Sequence, residues 1–258
     1  MSIFLSCPLA LGRVHSSADA LAAFESARSA GFDNINLDLM FALPEQDLDA
    51  ALSDLKQAIE LKPEHLSWYQ LTLEPNTLFH RFPPVVPDHD TASLMQENGL
   101  IELNKADYRQ YEVSAFAQPA RQCQHNRQYW TFGDYLGLGA GAHSKLADAQ
   151  HPNRIHRHWN KKNPKAYLNL EQDPKQGSSI VHGHRLLFEF FLNRFRLLTP
   201  VTEAELIEHT GMTLAALKPT LDQAVAKQLL RVEKSTLLVT PLGRRFLNDL
   251  LELWLIAD

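Results

Sequence analysis

Asn34-Ile35-Asn36-Leu37-Asp38-Leu39-Met40 alternates polar and apolar residues without a break, the two-residue period of a strand with one wet and one dry face. Before it, Ala20, Leu21, Phe24, Ala27 and Arg28 recur at helical spacing and Gly31 stands as a stop, which predicts a helix over residues 17–30. After the breaker Pro44, Leu48, Leu52, Leu55 and Ile59 fall on one helical face, and Pro63 ends that pattern. Residues 66–73 read as a second strand, 91–104 as a helix and 109–116 as a third strand. The order αβαβαβ predicts a parallel sheet with helices outside.

Parallel strands covered on both faces read as continuous apolar runs, and these do not. Asn34, Asn36 and Asp38 share a face of the first strand; Gln70, Thr72 and Glu74 share one on the second; Gln110, Glu112 and Ser114 share one on the third. A sheet curled around a ligand-filled lumen, as in a partial (β/α) barrel, explains three polar rows. An antiparallel sheet with one wet face explains them too, and the intervening helices favour the barrel.

The chain has 258 residues, of which 45% are hydrophobic and 21% charged, enough for a substantial core. A formal charge of -5 speaks against a nucleic-acid coat or a polybasic membrane anchor. Two cysteines, Cys7 and Cys123, build no disulfide framework, and no apolar run reaches membrane-spanning length, so the expected setting is the cytoplasm. Residues 147–183 turn polar and Pro-rich and read as a connecting segment between residues 1–146 and 184–258. In that last region residues 186–198 are apolar and aromatic. Helices at 203–209 and 215–229, a hairpin at 231–240 and a final helix at 244–255 give a helical, winged-helix-like module.

Single motifs leave alternatives open. Arg13 lies before the first helix, where a guanidinium clamps a carboxylate or simply meets solvent. Asp38, set between two leucines, must be paired, hydrated or bound to a ligand. Cys123 and His125 beside Tyr129 and Trp130 bring a thiol and an imidazole near aromatic rings, either as metal or haem ligands or as a packed loop. The stretch from Gly133 to His143 holds four of the 11 glycines, yet it is neither a Walker loop nor GxGxxG. His156, His158, His182 and His184 lack the partners of a zinc site. Lys218 and Lys227 share their helix with Asp222, so nucleic-acid reading is not expected. No catalytic residue and no metal ligand is assigned.

Taken in order, LGRVH (11–15), AGFDNINLDLMFALP (30–44), HLSWYQLTLEPNTLF (65–79), QYEVSAFA (110–117), QCQHN with YW (122–130), GDYLGLGAGAH (133–143) and FFLNRFRLL (190–198) resemble the radical-SAM coproporphyrinogen-III-oxidase-like family, in its haem chaperone branch HemW. The resemblance implies a partial (β/α) barrel, S-adenosylmethionine and a [4Fe-4S] cluster as cofactors, haem or porphyrin as the bound molecule, and haem-accepting proteins as partners. Any membrane association would come through those partners. Arg13 and Asp38 match the family's S-adenosylmethionine contacts in this half of the barrel, and Ala42 stands where the family usually has Gly. The family's Cys-x-x-x-Cys-x-x-Cys loop has no counterpart here, so a truncated remnant, inactive alone, is the expectation. Porphyrin decarboxylation by the sister enzymes and a mere binding fragment are the alternatives to haem carriage.

Overall fold

The computed structural model describes residues 16–151 and 153–255. The chain divides into two compact units, residues 1–123 and residues 124–258. The first unit runs α1 (Ser17–Ser29), β1 (Asn36–Phe41), α2 (Leu48–Glu60), β2 (His65–Gln70), α3 (Leu78–Arg81), α4 (His89–Lys105), β3 (Arg109–Glu112) and β4 (Ala115–Ala117). Helix starts follow the side chains that satisfy the first free N–H groups. Ser16 and Asp19 form a capping box on α1, Asp47 caps α2 and Asp88 caps α4.

Its sheet has the order β1-β2-β4-β3. β1 and β2 are parallel, with Asn36 opposite His65 and Asp38 opposite Ser67. Leu37, Leu39, Phe41, Leu66 and Trp68 therefore point to one side, where they are buried with Phe24, Leu55, Met95 and Leu103 from the helices. Each such buried side chain contributes about 1.5–3 kcal/mol. The strand periodicity of β1 and the helical stripe of α2 are both realised.

Two expectations for this sheet need correction. The stretch 109–116 is a hairpin, because Glu112 Oε1 accepts from both the Ser114 N–H and its hydroxyl, while Gln110 donates to the Val113 carbonyl. The polar row once assigned to a lumen thus closes a turn, and β4 lies antiparallel between β2 and β3. The second strand begins and ends earlier than expected, so Thr72 and Glu74 lie beyond it and bond to each other. His65, Ser67 and Tyr69 take the face shared with Asn36 and Asp38.

The second unit comprises α5 (Gln124–Trp130), β5 (His143–Ala147), β6 (Arg154–Asn160), α6 (Pro164–Tyr167), β7 (Lys175–His182), α7 (Gly183–Arg194), β8 (Val201–Thr202), α8 (Glu203–Thr210), α9 (Lys218–Ala226), β9 (Leu230–Glu233), β10 (Thr236–Val239), α10 (Pro241–Arg245) and α11 (Leu247–Glu252). Residues 147–183, read from composition as a connection, carry β6 and β7 of an antiparallel sheet β5-β6-β7. Their histidines and serines alternate with Ile155 and Val181, which enter the core, so the strand pattern was hidden by polar outer faces. That core gathers Phe132, Phe190, Phe191, Phe195 and Trp254 from helices and loops. A smaller sheet, β8-β10-β9, completes the unit.

Gly99 offers a test of the first unit's packing. A Cβ built there would overlap the Trp68 indole, itself buried. Gly99→Ala should lower stability by about 1–3 kcal/mol despite its better helix propensity, and Trp68→Leu in the same chain should recover part of the loss. Urea unfolding followed by circular dichroism checks this; a G99A chain as stable as the parent would refute it.

Candidate functional site

The polar face of β1 and β2 collects the first unit's chemistry. Asp38 is half-buried and accepts a hydrogen bond from Asn36 Nδ2 at 2.9 Å. Asn36 Oδ1 lies 2.6 Å from His65 Nδ1 and accepts from Ser67 Oγ at 3.1 Å. His65 Nε2 lies 2.8 Å from the Tyr111 hydroxyl, which also accepts from the Cys123 N–H at 3.3 Å. His65 and Tyr111 meet across β4, whose residues opposite His65 and Ser67 are Ala117 and Ala115, too small to separate them. His65 is 3% exposed, and burial depresses its pKa to about 4 although the Asp38 carboxylate pulls the other way.

Sequence reading named Asn36 and Asp38 but missed His65, Ser67 and Tyr111. The signal was there: His65-Leu66-Ser67-Trp68-Tyr69 alternates as β1 does. Arg13, the second expected cofactor contact, and Cys7 lie outside the described residues. Ala42 is buried at φ 55°, in the left-handed region that favours glycine, so the alanine holds a backbone conformation suited to the smaller residue.

Cys123 is a free, half-buried thiol. In the second unit His125 is exposed on α5 with its ring edge-on to Tyr129 at 4.8 Å, and Tyr129 packs on Tyr135 at 4.5 Å. The Tyr135 hydroxyl accepts from Arg157, which is paired with Glu189 at 2.6 Å. His143 stacks on Trp159, and His156 stacks on His158 while meeting Asp148. His182 caps no hydrogen bond at the start of α7, and Lys218 is paired with Asp222 along α9.

Among the described residues no three His, Cys, Asp or Glu side chains are grouped to hold a metal ion. With two cysteines in the whole chain, the donor set does not fit a [4Fe-4S] cluster, which takes several closely spaced thiolates. A half-buried carboxylate flanked by amide, hydroxyl and imidazole does fit a ligand bearing hydroxyl or ammonium groups. Among the described residues no helix is long and apolar enough to cross a membrane.

No family model matches the chain. Among curated proteins it is 46% identical to the heme chaperone HemW of Escherichia coli over 95% of its own length, and 45% identical to that of Haemophilus influenzae over 96%. HemW of Bacillus subtilis is 30% identical over 93% of the chain. The chain spans 64% of the length of the first two relatives. Among solved structures, coproporphyrinogen III oxidase (HemN) of Escherichia coli, described as a radical SAM enzyme, superposes with a TM-score of 0.78 at 18% identity, over 98% of this chain and 63% of that one. That likeness is one of fold, a mixed α/β arrangement.

Burial of His65 sets a pH dependence. Its folded pKa lies below the ordinary 6.5, so the unfolded chain takes up a proton first as pH falls, and stability is present above 6.5 and lost towards about 4. Relative to His65→Asn, the parent chain should lose up to about 1.4 kcal/mol per pH unit across that window. Parallel urea-midpoint curves for the two proteins between pH 7 and pH 4 would show the assignment to be wrong.

Proposed function

The chain is homologous to the HemW heme chaperones, a branch of the radical-SAM coproporphyrinogen-III-oxidase-like proteins, and on that footing we propose that it serves haem binding and transfer. The observation that carries this is 46% identity sustained over 95% of the chain. In this reading the β1-β2-β4-β3 sheet is an arc of a partial (β/α) barrel with Asp38 on its inner wall, and residues 184–258 form a winged-helix-like companion. Haem-accepting proteins are the partners and the cytoplasm is the setting.

S-adenosylmethionine supplies a sulfonium and a zwitterionic amino acid when bound to such proteins. Here Asp38 would hold it, through a ribose hydroxyl or the ammonium, with Asn36 donating to the carboxylate and Ser67 holding the Asn36 amide; Arg13 is the expected second contact. No step is drawn through an iron-sulfur cluster, since the donors present do not suit one. Haem carriage is preferred over porphyrin decarboxylation because the curated relatives at 45–46% identity are heme chaperones, whereas the oxidase shares the fold at 18% identity. The candidate haem ligands, each taken singly, are the thiol of Cys123 in the first unit and the exposed imidazoles of His125 and His143 in the second.

Two measurements test this. Haem titrated into the chain should produce a shifted Soret band, and Cys123→Ser with His125→Ala should weaken binding about 10-fold or more if these groups ligate iron. Unchanged spectra would remove both as ligands. Anaerobic reconstitution with iron and sulfide should leave the 258-residue chain without cluster absorbance; a stable cluster that supports 5'-deoxyadenosine formation would overturn the preference for carriage without chemistry.

A further inference from the structure

The hydrogen bonds behind Asp38 run in one direction, and donor chemistry alone fixes it. A carboxylate only accepts, so the Asn36 atom 2.9 Å from Asp38 is the amide nitrogen. The other Asn36 terminus is then the oxygen, also an acceptor only, which means that His65 Nδ1, 2.6 Å away, carries a proton. Ser67 supplies that oxygen with a second donor at 3.1 Å. Flipping the amide would set oxygen against carboxylate, so Asp38 fixes the orientation of Asn36.

The remaining links follow. A neutral imidazole with its proton on Nδ1 presents Nε2 as an acceptor, and the group 2.8 Å away is the Tyr111 O–H, which must donate. The Tyr111 oxygen retains a lone pair for the Cys123 N–H at 3.3 Å. An imidazolium is disfavoured because His65 is buried, where its charge is poorly solvated.

We propose that His65 is a positioning residue in a one-way relay, Cys123 N–H to Tyr111 O–H to His65 to Asn36 to Asp38, that sets the Asp38 carboxylate and the Cys123 backbone together. The relay links two places that the sequence marks separately, the strand carboxylate and the segment beginning Gln122-Cys123. Loss of the His65 link would leave the Asn36 oxygen with one fewer donor and loosen the amide that donates to Asp38. The ligand at Asp38 rests on the S-adenosylmethionine reading above; the relay itself does not.

The test separates the two. In the full chain labelled with 15N-histidine, long-range proton–nitrogen correlation at pH 7 should show His65 neutral with its proton on Nδ1. A proton on Nε2, or an imidazolium, overturns the relay. Tyr111→Phe, a small change in a folded chain, should shift the His65 Nε2 resonance and speed amide exchange at Cys123; neither change would overturn it as well. For the positioning role, S-adenosylmethionine binding is measured by calorimetry. His65→Asn keeps an N–H where Nδ1 stood and should bind within about threefold of the parent, whereas His65→Leu should weaken binding about 10-fold or more. Asp38→Asn reports on the ligand reading: if it binds like the parent, or the parent does not bind, that reading fails while the spectroscopy still decides the relay. If D38N loses binding and a folded H65L does not, the positioning role is wrong.

Discussion

Parallel pairing of Asn36–Phe41 with His65–Gln70 in one register is the constraint from which the first unit's other features follow. In that register Leu37, Leu39, Phe41, Leu66 and Trp68 fall together on the helix side. Slipping either strand by one residue would turn Asp38 into the core beside Trp68 and bring leucines out to the wet face. An unpaired carboxylate there would have to neutralise or unfold its surroundings. The apolar side thus locks the polar side, and a residue that packs against nothing in the core owes its place to residues that do.

The second unit rests on a different compromise. Lys145 is 3% exposed, yet its ammonium donates to the Phe132 carbonyl at 2.7 Å, sits over the Phe132 ring and lies 3.5 Å from Asp134. Burial pushes its pKa down, and Asp134 offsets part of the desolvation. The same lysine stands on β5, so the loop carrying Phe132 and Asp134 is tied to the sheet. Tyr135 follows directly and packs on Tyr129, which in turn holds the edge of His125. A buried charge therefore organises an exposed imidazole two aromatic contacts away.

A fold shared at 18% identity with an oxidase and a sequence shared at 46% with chaperones illustrate why a scaffold does not name its chemistry. What the described residues add is local: carboxylate, amide and imidazole in series suit a polar ligand.

The sequence by itself determined the strands and helices whose pattern runs long enough to repeat, β1, α2 and α4 among them, because burial on one face imprints its period on the chain. It also marked Asp38, since a carboxylate between leucines has few permitted settings. It did not reveal β6 and β7, where the core-facing residues are sparse and the outer faces carry histidine and serine, nor the turn at Val113 and Ser114, which depends on where Glu112 bends back. Only the tertiary structure decided that His65 and Tyr111 stand behind Asp38. They are 46 residues apart and are brought together by a strand inserted between theirs, whose alanines leave the space that two rings fill. Proximity of that kind is set by sheet order, which no local pattern encodes.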